Sequence, residues 1–165
     1  MLRVCGWCGI QLDLTQDKYK ETEITHGICS NCAFHLRAAT GMEFEDYLNH
    51  LPHPVIVIDD ENKVTFCNTQ AVELLHTTYN FNKRILCGKV FECENSFKPQ
   101  GCGKTQPCHN CSIKRAIDKT RKNNISLEDI VVELHREDAI YLLNISTEIL
   151  SHFIILRINS MVPKP

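Results

Sequence analysis

The sequence predicts an α+β fold in which two short strands, a helical middle and three further strands follow one another. Two β-runs flank a polar turn within residues 54–66, which is a hairpin pattern. Three longer β-rich runs occupy residues 125–134, 139–149 and 152–158. Strands grouped at the two ends of a domain, rather than alternating with helices, indicate an α+β fold rather than a parallel α/β sheet.

The segment before the hairpin divides into a cysteine-rich module, residues 1–33, and a connecting helix, residues 34–51. The module carries too little apolar material to fold around a core of its own. Thr40 and Glu43 form a capping-box pattern, and Phe44, Tyr47, Leu48 and Leu51 recur at helical spacing. Pro52 and Pro54 end this helix. The domain proper therefore covers residues 52–160.

The helical middle of the domain begins at Asn68, a favoured N-cap residue before Ala71, Leu74 and Leu75. A cysteine-rich loop follows at residues 93–111, and a further helix occupies residues 112–122. That helix has an apolar face and a basic face, and the basic face is typical of a solvated surface or of contact with an acidic partner. The basic face consists of Lys114, Arg115, Lys119, Arg121 and Lys122.

Composition indicates a globular protein outside the nucleic-acid and membrane classes. The net charge is −2 over 165 residues, and 43% of the residues are hydrophobic. The apolar runs are far shorter than the ~20 residues that span a bilayer. No signal-peptide pattern precedes Cys5, so the sequence predicts a cytoplasmic protein. Ten cysteines in a reducing compartment favour metal or redox chemistry over disulfides.

The first cysteine quartet has the spacing C-x2-C-x20-C-x2-C and consists of Cys5, Cys8, Cys29 and Cys32. Two tight turns of this kind direct four thiolates at one ion, which suits a structural zinc site. Iron in a tetrathiolate site is chemically open, and so are four reduced cysteines or two disulfides. A bound metal is favoured because so polar a segment has no other way to become ordered. Zinc is favoured over iron because a closed tetrathiolate site is usually structural.

The second quartet lies in the loop and consists of Cys93, Cys102, Cys108 and Cys111. Gly103-Lys-Thr105 resembles the end of a Walker A motif, but position 98 is Lys where that motif requires Gly. Four thiols within nineteen residues instead predict a metal site holding zinc or an iron–sulfur cluster, with zinc slightly favoured. A Cys108–Cys111 redox pair and four packed free cysteines stay as alternatives.

The other cysteines and the histidines carry weaker signals. Cys67 lies in an apolar strand and fits the core, whereas Cys87, next to Gly88, is a spare thiol or a fifth ligand. His109, between two candidate ligands, fits a solvent-facing loop better than a haem site. No base, nucleophile or oxyanion pattern accompanies the thiols, so the sequence predicts no enzyme and no catalytic residues.

The order of these elements resembles a PAS domain over roughly residues 43–160. The opening LPHPVIVIDDENKVTFCNTQAVELL resembles that family's first strands and first helix, and Leu86–Phe91 resembles its later short segment. The resemblance implies a five-stranded antiparallel sheet with helices on one side, and a sensory role with a ligand held between the two layers. The cysteine-rich loop departs from the family. Residues 1–33 resemble a zinc ribbon.

These features predict a non-enzymatic sensory protein that passes a redox, metal or ligand signal to a partner protein. The partner would be a signalling kinase or regulator, or a second copy of the chain, because the sequence ends near residue 165 without an output domain. A transcriptional regulator whose ribbon contacts nucleic acid or polymerase is an alternative, although residues 1–33 hold few basic side chains. An iron–sulfur electron-transfer protein is another.

Overall fold

The computed structural model describes residues 2–12, 24–39, 43–78, 81–83 and 85–165. The chain divides into two compact units, Met1–Tyr47 and Leu48–Pro165. The predicted capping box falls partly outside the described residues, because Thr40 is not among them. Within the described ranges, no helix combines the length and the apolar character needed to span a membrane.

The described part of the first unit contains a small parallel pair of strands and the helix α1. Strand β1 (Leu2–Cys5) pairs with β2 (Ile24–Gly27), and helix α1 spans Ser30–Ala39. A tight turn follows β1, in which the N–H of Cys5 donates to the carbonyl of Ile10 at 2.8 Å. Gly9 lies in this turn at φ +74°, a conformation that favours glycine. The turn returns the chain towards β1 and exposes its tip.

The second unit is built on a six-stranded antiparallel sheet. Its strands are β3 (Val55–Ile58), β4 (Lys63–Cys67), β5 (Ile85–Leu86), β6 (Leu127–His135), β7 (Ile140–Leu150) and β8 (Phe153–Pro163). Their order across the sheet is β5-β4-β3-β8-β7-β6. The predicted α+β fold is thus confirmed, and the sheet has one strand more than the five expected. The extra strand β5 has two residues, too few to leave a periodic pattern in the sequence.

Along the chain, helix α2 (Phe44–Asn49) crosses the boundary between the two units. The described part of the second unit also contains the helices α3 (Thr69–Leu75), α4 (Cys87–Val90) and α5 (Ser112–Asn123). The predicted connecting segment 34–51 contains the end of α1 and the whole of α2, with residues 40–42 outside the description. The helices over residues 69–75 and 112–123 lie where the sequence placed them. The core is a cluster of mainly aliphatic side chains from the sheet and from α3, α4 and α5.

Asn68 connects the start of α3 to β3 and to the chain before it. Its Oδ1 accepts hydrogen bonds from the N–H of Ala71 at 3.0 Å and from the N–H of Val55 at 2.9 Å. Its Nδ2 donates to the carbonyls of Leu48 at 3.1 Å and His53 at 2.8 Å. The side chain is fully buried. The predicted N-cap is confirmed, and the same amide satisfies three further backbone groups.

Helix α5 is fixed to the sheet on its buried side. Ile113, Ala116, Ile117 and Thr120 are buried, and the hydroxyl groups of Thr120 and Thr147 are hydrogen-bonded at 2.6 Å. From the predicted basic face, Arg121 donates to the carbonyl of Asp59 at 2.7 Å and to Oδ1 of Asn62 at 2.8 Å. Arg121 therefore ties α5 to the β3–β4 turn instead of facing solvent freely.

Candidate metal sites

The N-terminal quartet converges. The sulfur atoms of Cys5, Cys8, Cys29 and Cys32 all lie within 4.8 Å of one another. Cys5 ends β1, and Cys8 lies in the turn that follows. Cys29 immediately precedes α1, and Cys32 is the third residue of that helix, so the two cysteines are about one helical turn apart and lie on the same side. The arrangement can hold one tetrahedrally coordinated ion, which suits four thiolates.

Backbone N–H groups stabilise thiolate charge at this quartet. Hydrogen bonds from the backbone, that of Cys29 first, lower the pKa of Cys5 to about 6. The N–H of Cys32 donates to Sγ of Cys29 at 3.4 Å, yet burial raises the pKa of Cys29. The side chain of Cys29 raises the pKa of Cys32. Crowded thiols of this kind resist carrying several negative charges together unless a cation lies between them.

The loop quartet surrounds a cavity of about 420 Å³ in the second unit. Cys93, Cys102, Cys108 and Cys111 all line it, and Cys87 at the start of α4 is a fifth lining thiol. Among the residues that the structure describes, however, the N-terminal quartet is the one place where three or more metal-ligating atoms lie within 4.8 Å of one another. The loop thiols thus share a cavity without closing around a single point.

Local backbone geometry brings the loop cysteines to the cavity. Gly101 and Gly103 have φ of +75° and +86°, so the chain around Cys102 turns through conformations that favour glycine. A 3₁₀ turn, Gln106–Asn110, carries Cys108. Cys111 is then the N-cap of α5, as the sequence predicted. The loop therefore leads directly into the helix that packs on the sheet.

Cys108 carries the strongest hydrogen bonding among the loop thiols. Burial alone would raise the pKa of Cys108, but a hydrogen bond with the Thr105 hydroxyl at 3.0 Å and one from the N–H of Gly103 at 3.3 Å outweigh it. The pKa of Cys108 is lowered as a result, with a smaller contribution from the charge of Lys114. These contacts favour the thiolate form of Cys108 more than in an ordinary cysteine.

Cys93 and Cys102 are disfavoured as free anions. Burial raises the pKa of Cys93, and the charges of Cys111 and Cys108 raise it further. Burial also raises the pKa of Cys102, with added repulsion from Cys108, Cys111 and Cys93. A cation among these sulfurs would remove both the desolvation and the repulsion. The cavity therefore suits a positively charged centre.

Cys87 and Cys67 differ from the four loop cysteines. Sγ of Cys87 donates to the carbonyl of Asn62 at 3.5 Å, and burial raises the pKa of this thiol first, with repulsion from Cys102 second. Cys67 is buried in the core, where desolvation raises its pKa to about 12. Cys67 thus has the core position that the sequence predicted. His109 is exposed, as expected for a solvent-facing loop residue.

Two parts of the loop site were missed by reasoning from the sequence. Gly88 packs against the loop so closely that a Cβ on it would lie 2.6 Å from Sγ of Cys102. The end of β6, Glu133 to His135, forms one wall of the cavity. A glycine that follows a cysteine in the sequence indicates close packing only when the distant residue that lies against it in the fold is known. The wall comes from a strand more than twenty residues along the chain, so no local pattern could reveal it.

Comparison with known proteins supports the PAS resemblance. Residues 42–106 match the family model described as PAS domain. No curated protein matches the chain. The supported part includes β3, β4, α3 and most of the cysteine-rich loop, while the ion-binding capacity of the N-terminal quartet is suggested by its geometry alone.

Several solved structures resemble the chain at low identity. The E. coli DhaR(N)–DhaL complex aligns at 12% identity and a TM-score of 0.42, over 78% of this chain and 36% of that one. The photoactive yellow protein domain of the sensor histidine kinase Ppr from Rhodospirillum centenum aligns at 14% identity and a TM-score of 0.47. The alignment covers 73% of this chain and 96% of that one. A PAS domain from a two-component sensor histidine kinase aligns at 10% identity and a TM-score of 0.40, over 79% of this chain and 99% of that one. The chain thus spans about a third of the DhaR(N)–DhaL chain it resembles.

Proposed function

We propose that this chain is a non-enzymatic PAS-type sensory protein in which the thiol-lined cavity receives the signal and the sheet passes it to a partner protein. The N-terminal quartet would hold zinc as a structural ion, because four converging thiolates form a closed tetrahedral site. The signal would be a metal, a redox change or a ligand acting at the loop. The partner would be a signalling kinase or regulator, or a second copy of this chain.

One residue carries this proposal, because Cys111 belongs both to the cavity and to the start of α5. A change in what the loop thiols hold would move or release the first turn of that helix. The buried face of α5 packs on the sheet, and the Thr120–Thr147 hydrogen bond fixes its far end to β7. Helix α5 therefore offers a short rigid route from the cavity to the sheet.

Hydrogen exchange on the full chain tests this route. The protein as isolated without oxygen is compared with the same protein stripped by a chelator in reducing buffer. We expect stripping to speed exchange in α5 and β7 as well as in the loop itself.

A Cys8→Ser variant serves as the matched control, because it disables the N-terminal quartet and leaves the loop thiols intact. The stripping effect on α5 and β7 should persist in this variant. Exchange in α5 and β7 that stays unchanged while the loop demonstrably loses its metal would refute the proposed route.

A further inference from the structure

We propose that the loop cavity binds an iron–sulfur cluster through Cys93, Cys102, Cys108 and Cys111, rather than a lone zinc ion, and that Cys87 lines the site without being a ligand. This inference rests on the proposed function and names the centre through which the loop would sense. The N-terminal and loop quartets offer the same four-thiol chemistry within one chain. The two quartets differ in how closely their sulfur atoms approach one another.

The spacing of the loop thiols does not match a mononuclear site. Zinc–sulfur bonds of about 2.3 Å in a tetrahedron place the sulfurs about 3.8 Å apart. The N-terminal quartet meets this condition to within 4.8 Å, and within the described residues no other three ligand atoms do so. In a cluster, by contrast, each thiolate binds a different iron or shares one with a single neighbour, so the four sulfurs lie further apart.

The cavity has the room and the polar groups that a cluster needs. Its volume of about 420 Å³ far exceeds the ~10–15 Å³ that a cavity needs, on the same measure, to hold one water molecule. The glycine at position 88 keeps the space beside Cys102 free of a side chain. Sγ of Cys108 accepts a hydrogen bond from the Gly103 N–H and is hydrogen-bonded to the Thr105 hydroxyl. Hydrogen bonds to the ligand sulfurs are one means by which proteins set the potential of a bound cluster.

Cys87 is separated from the ligand set by its hydrogen bond. Its thiol points a proton at the carbonyl of Asn62, at a sulfur–oxygen distance of 3.5 Å. A metal-bound thiolate has no proton to donate, so ligation through Cys87 would sacrifice this contact. Four thiols complete the usual ligand set of a cluster, and the four loop cysteines supply it.

Reconstitution without oxygen tests the inference. The full chain receives one equivalent of Zn²⁺ for the N-terminal quartet, and then ferrous iron with inorganic sulfide. We expect iron and acid-labile sulfide to be bound in equal amounts, with visible absorption and a cluster-type Mössbauer spectrum. Bound zinc without iron or sulfide, or iron without sulfide, would overturn the inference.

Substitutions then identify the ligands. Cys93→Ser, Cys102→Ser, Cys108→Ser and Cys111→Ser should each lower bound iron several-fold, whereas Cys87→Ser and the core control Cys67→Ser should leave it unchanged. Retained zinc at the N-terminal quartet and an unchanged circular dichroism spectrum show which variants are folded. Loss of iron in Cys87→Ser as large as in Cys102→Ser would overturn the ligand set.

The two proposals fail in different ways. If the loop binds zinc alone, and removal of that zinc still changes hydrogen exchange in α5, the cluster proposal is refuted and the proposed route through α5 is supported. A cluster that forms without altering α5 or β7 refutes the route and leaves the cluster standing. The wild-type Mössbauer spectrum decides the nature of the centre even if every loop variant unfolds.

Discussion

Oδ1 of Asn68 accepts a hydrogen bond from the N–H of Val55, which joins the cap of α3 to the first strand of the large sheet. Asn68 thereby aligns the helix start with the strand edge, while its Nδ2 holds two carbonyls of the preceding segment. The Asn68 side chain is buried, and a buried backbone group that loses its hydrogen-bond partner carries a large free-energy cost.

Replacement of Asn68 by Ala should lower the free energy of unfolding by about 3 kcal/mol, because two N–H groups and two carbonyls lose their partner. Chemical denaturation followed by far-UV circular dichroism measures this loss. Asn159→Ala is the control, since Asn159 also makes several side-chain hydrogen bonds but is exposed. A loss in Asn68→Ala no larger than that in Asn159→Ala would contradict the role assigned to Asn68.

Replacement of Gly88 by Ala should disturb the loop site, because the new Cβ would lie 2.6 Å from Sγ and 2.9 Å from Cβ of Cys102. The loop must shift to relieve this overlap, and we expect a stability loss of about 1–3 kcal/mol together with weaker metal retention at the loop.

Gly6→Ala is the matched control for Gly88→Ala, because Gly6 likewise follows a cysteine, Cys5. Its added Cβ would meet no atom closer than 3.8 Å, an ordinary contact. Metal retention measured after dialysis against a mild chelator compares the two variants. Equal retention in both would show that the Gly88–Cys102 packing does not matter to the site.

The Thr120–Thr147 hydrogen bond should show energetic coupling between α5 and β7. Each single Val replacement leaves one buried hydroxyl without a partner and should cost about 1–2 kcal/mol. The double replacement removes both hydroxyl groups and should cost less than the sum of the two. Urea unfolding of the wild type, the two single variants and the double variant completes the double-mutant cycle. Strictly additive losses in the free energy of unfolding would argue against the coupling.

The Glu133 carboxyl should titrate below its ordinary range because of Lys164. The Lys164 ammonium, at 2.6 Å, lowers the pKa of Glu133 through its hydrogen bond and its charge, and His135 contributes less. Since the folded-state pKa is depressed, this pair stabilises the fold above the unfolded pKa of about 4.3, and the contribution disappears as the pH falls through the folded value.

Carboxyl-carbon NMR measures this shift at Glu133. Lys164→Ala should raise the Glu133 midpoint to near that of an ordinary glutamate, whereas His135→Ala should move it by a smaller amount. High salt should also raise the midpoint, because the pair is exposed. A midpoint that does not respond to Lys164→Ala would contradict the ion pair.

Local patterns in the sequence were sufficient to predict most of the fold. The β3–β4 hairpin, the Asn68 cap and α5 are each encoded within a dozen residues, by alternation, a capping side chain or helical periodicity. Strand β5 was missed because two residues carry no period, and Arg121 was assigned to a solvated face although it ties α5 to the β3–β4 turn.

The candidate sites were predictable in part. Cysteine spacing identified both quartets as metal-site candidates, and only side-chain direction, which depends on tertiary structure, separates the converging quartet from the one spread around a cavity. The wall that β6 contributes and the close approach of Gly88 to Cys102 depend on contacts between distant segments. Neither could be read from spacing.

Trp7, the single tryptophan of the chain, lies in the turn between Cys5 and Cys8 and is 66% exposed. Selective excitation of indole fluorescence therefore reports on the N-terminal unit alone, because the second unit contains no tryptophan. An emission change on zinc loading reports on the first quartet. The backbone ellipticity is dominated by the second unit, which holds most of the described strands. The protein thus contains its own optical label, with which the two units can be followed separately in one cuvette.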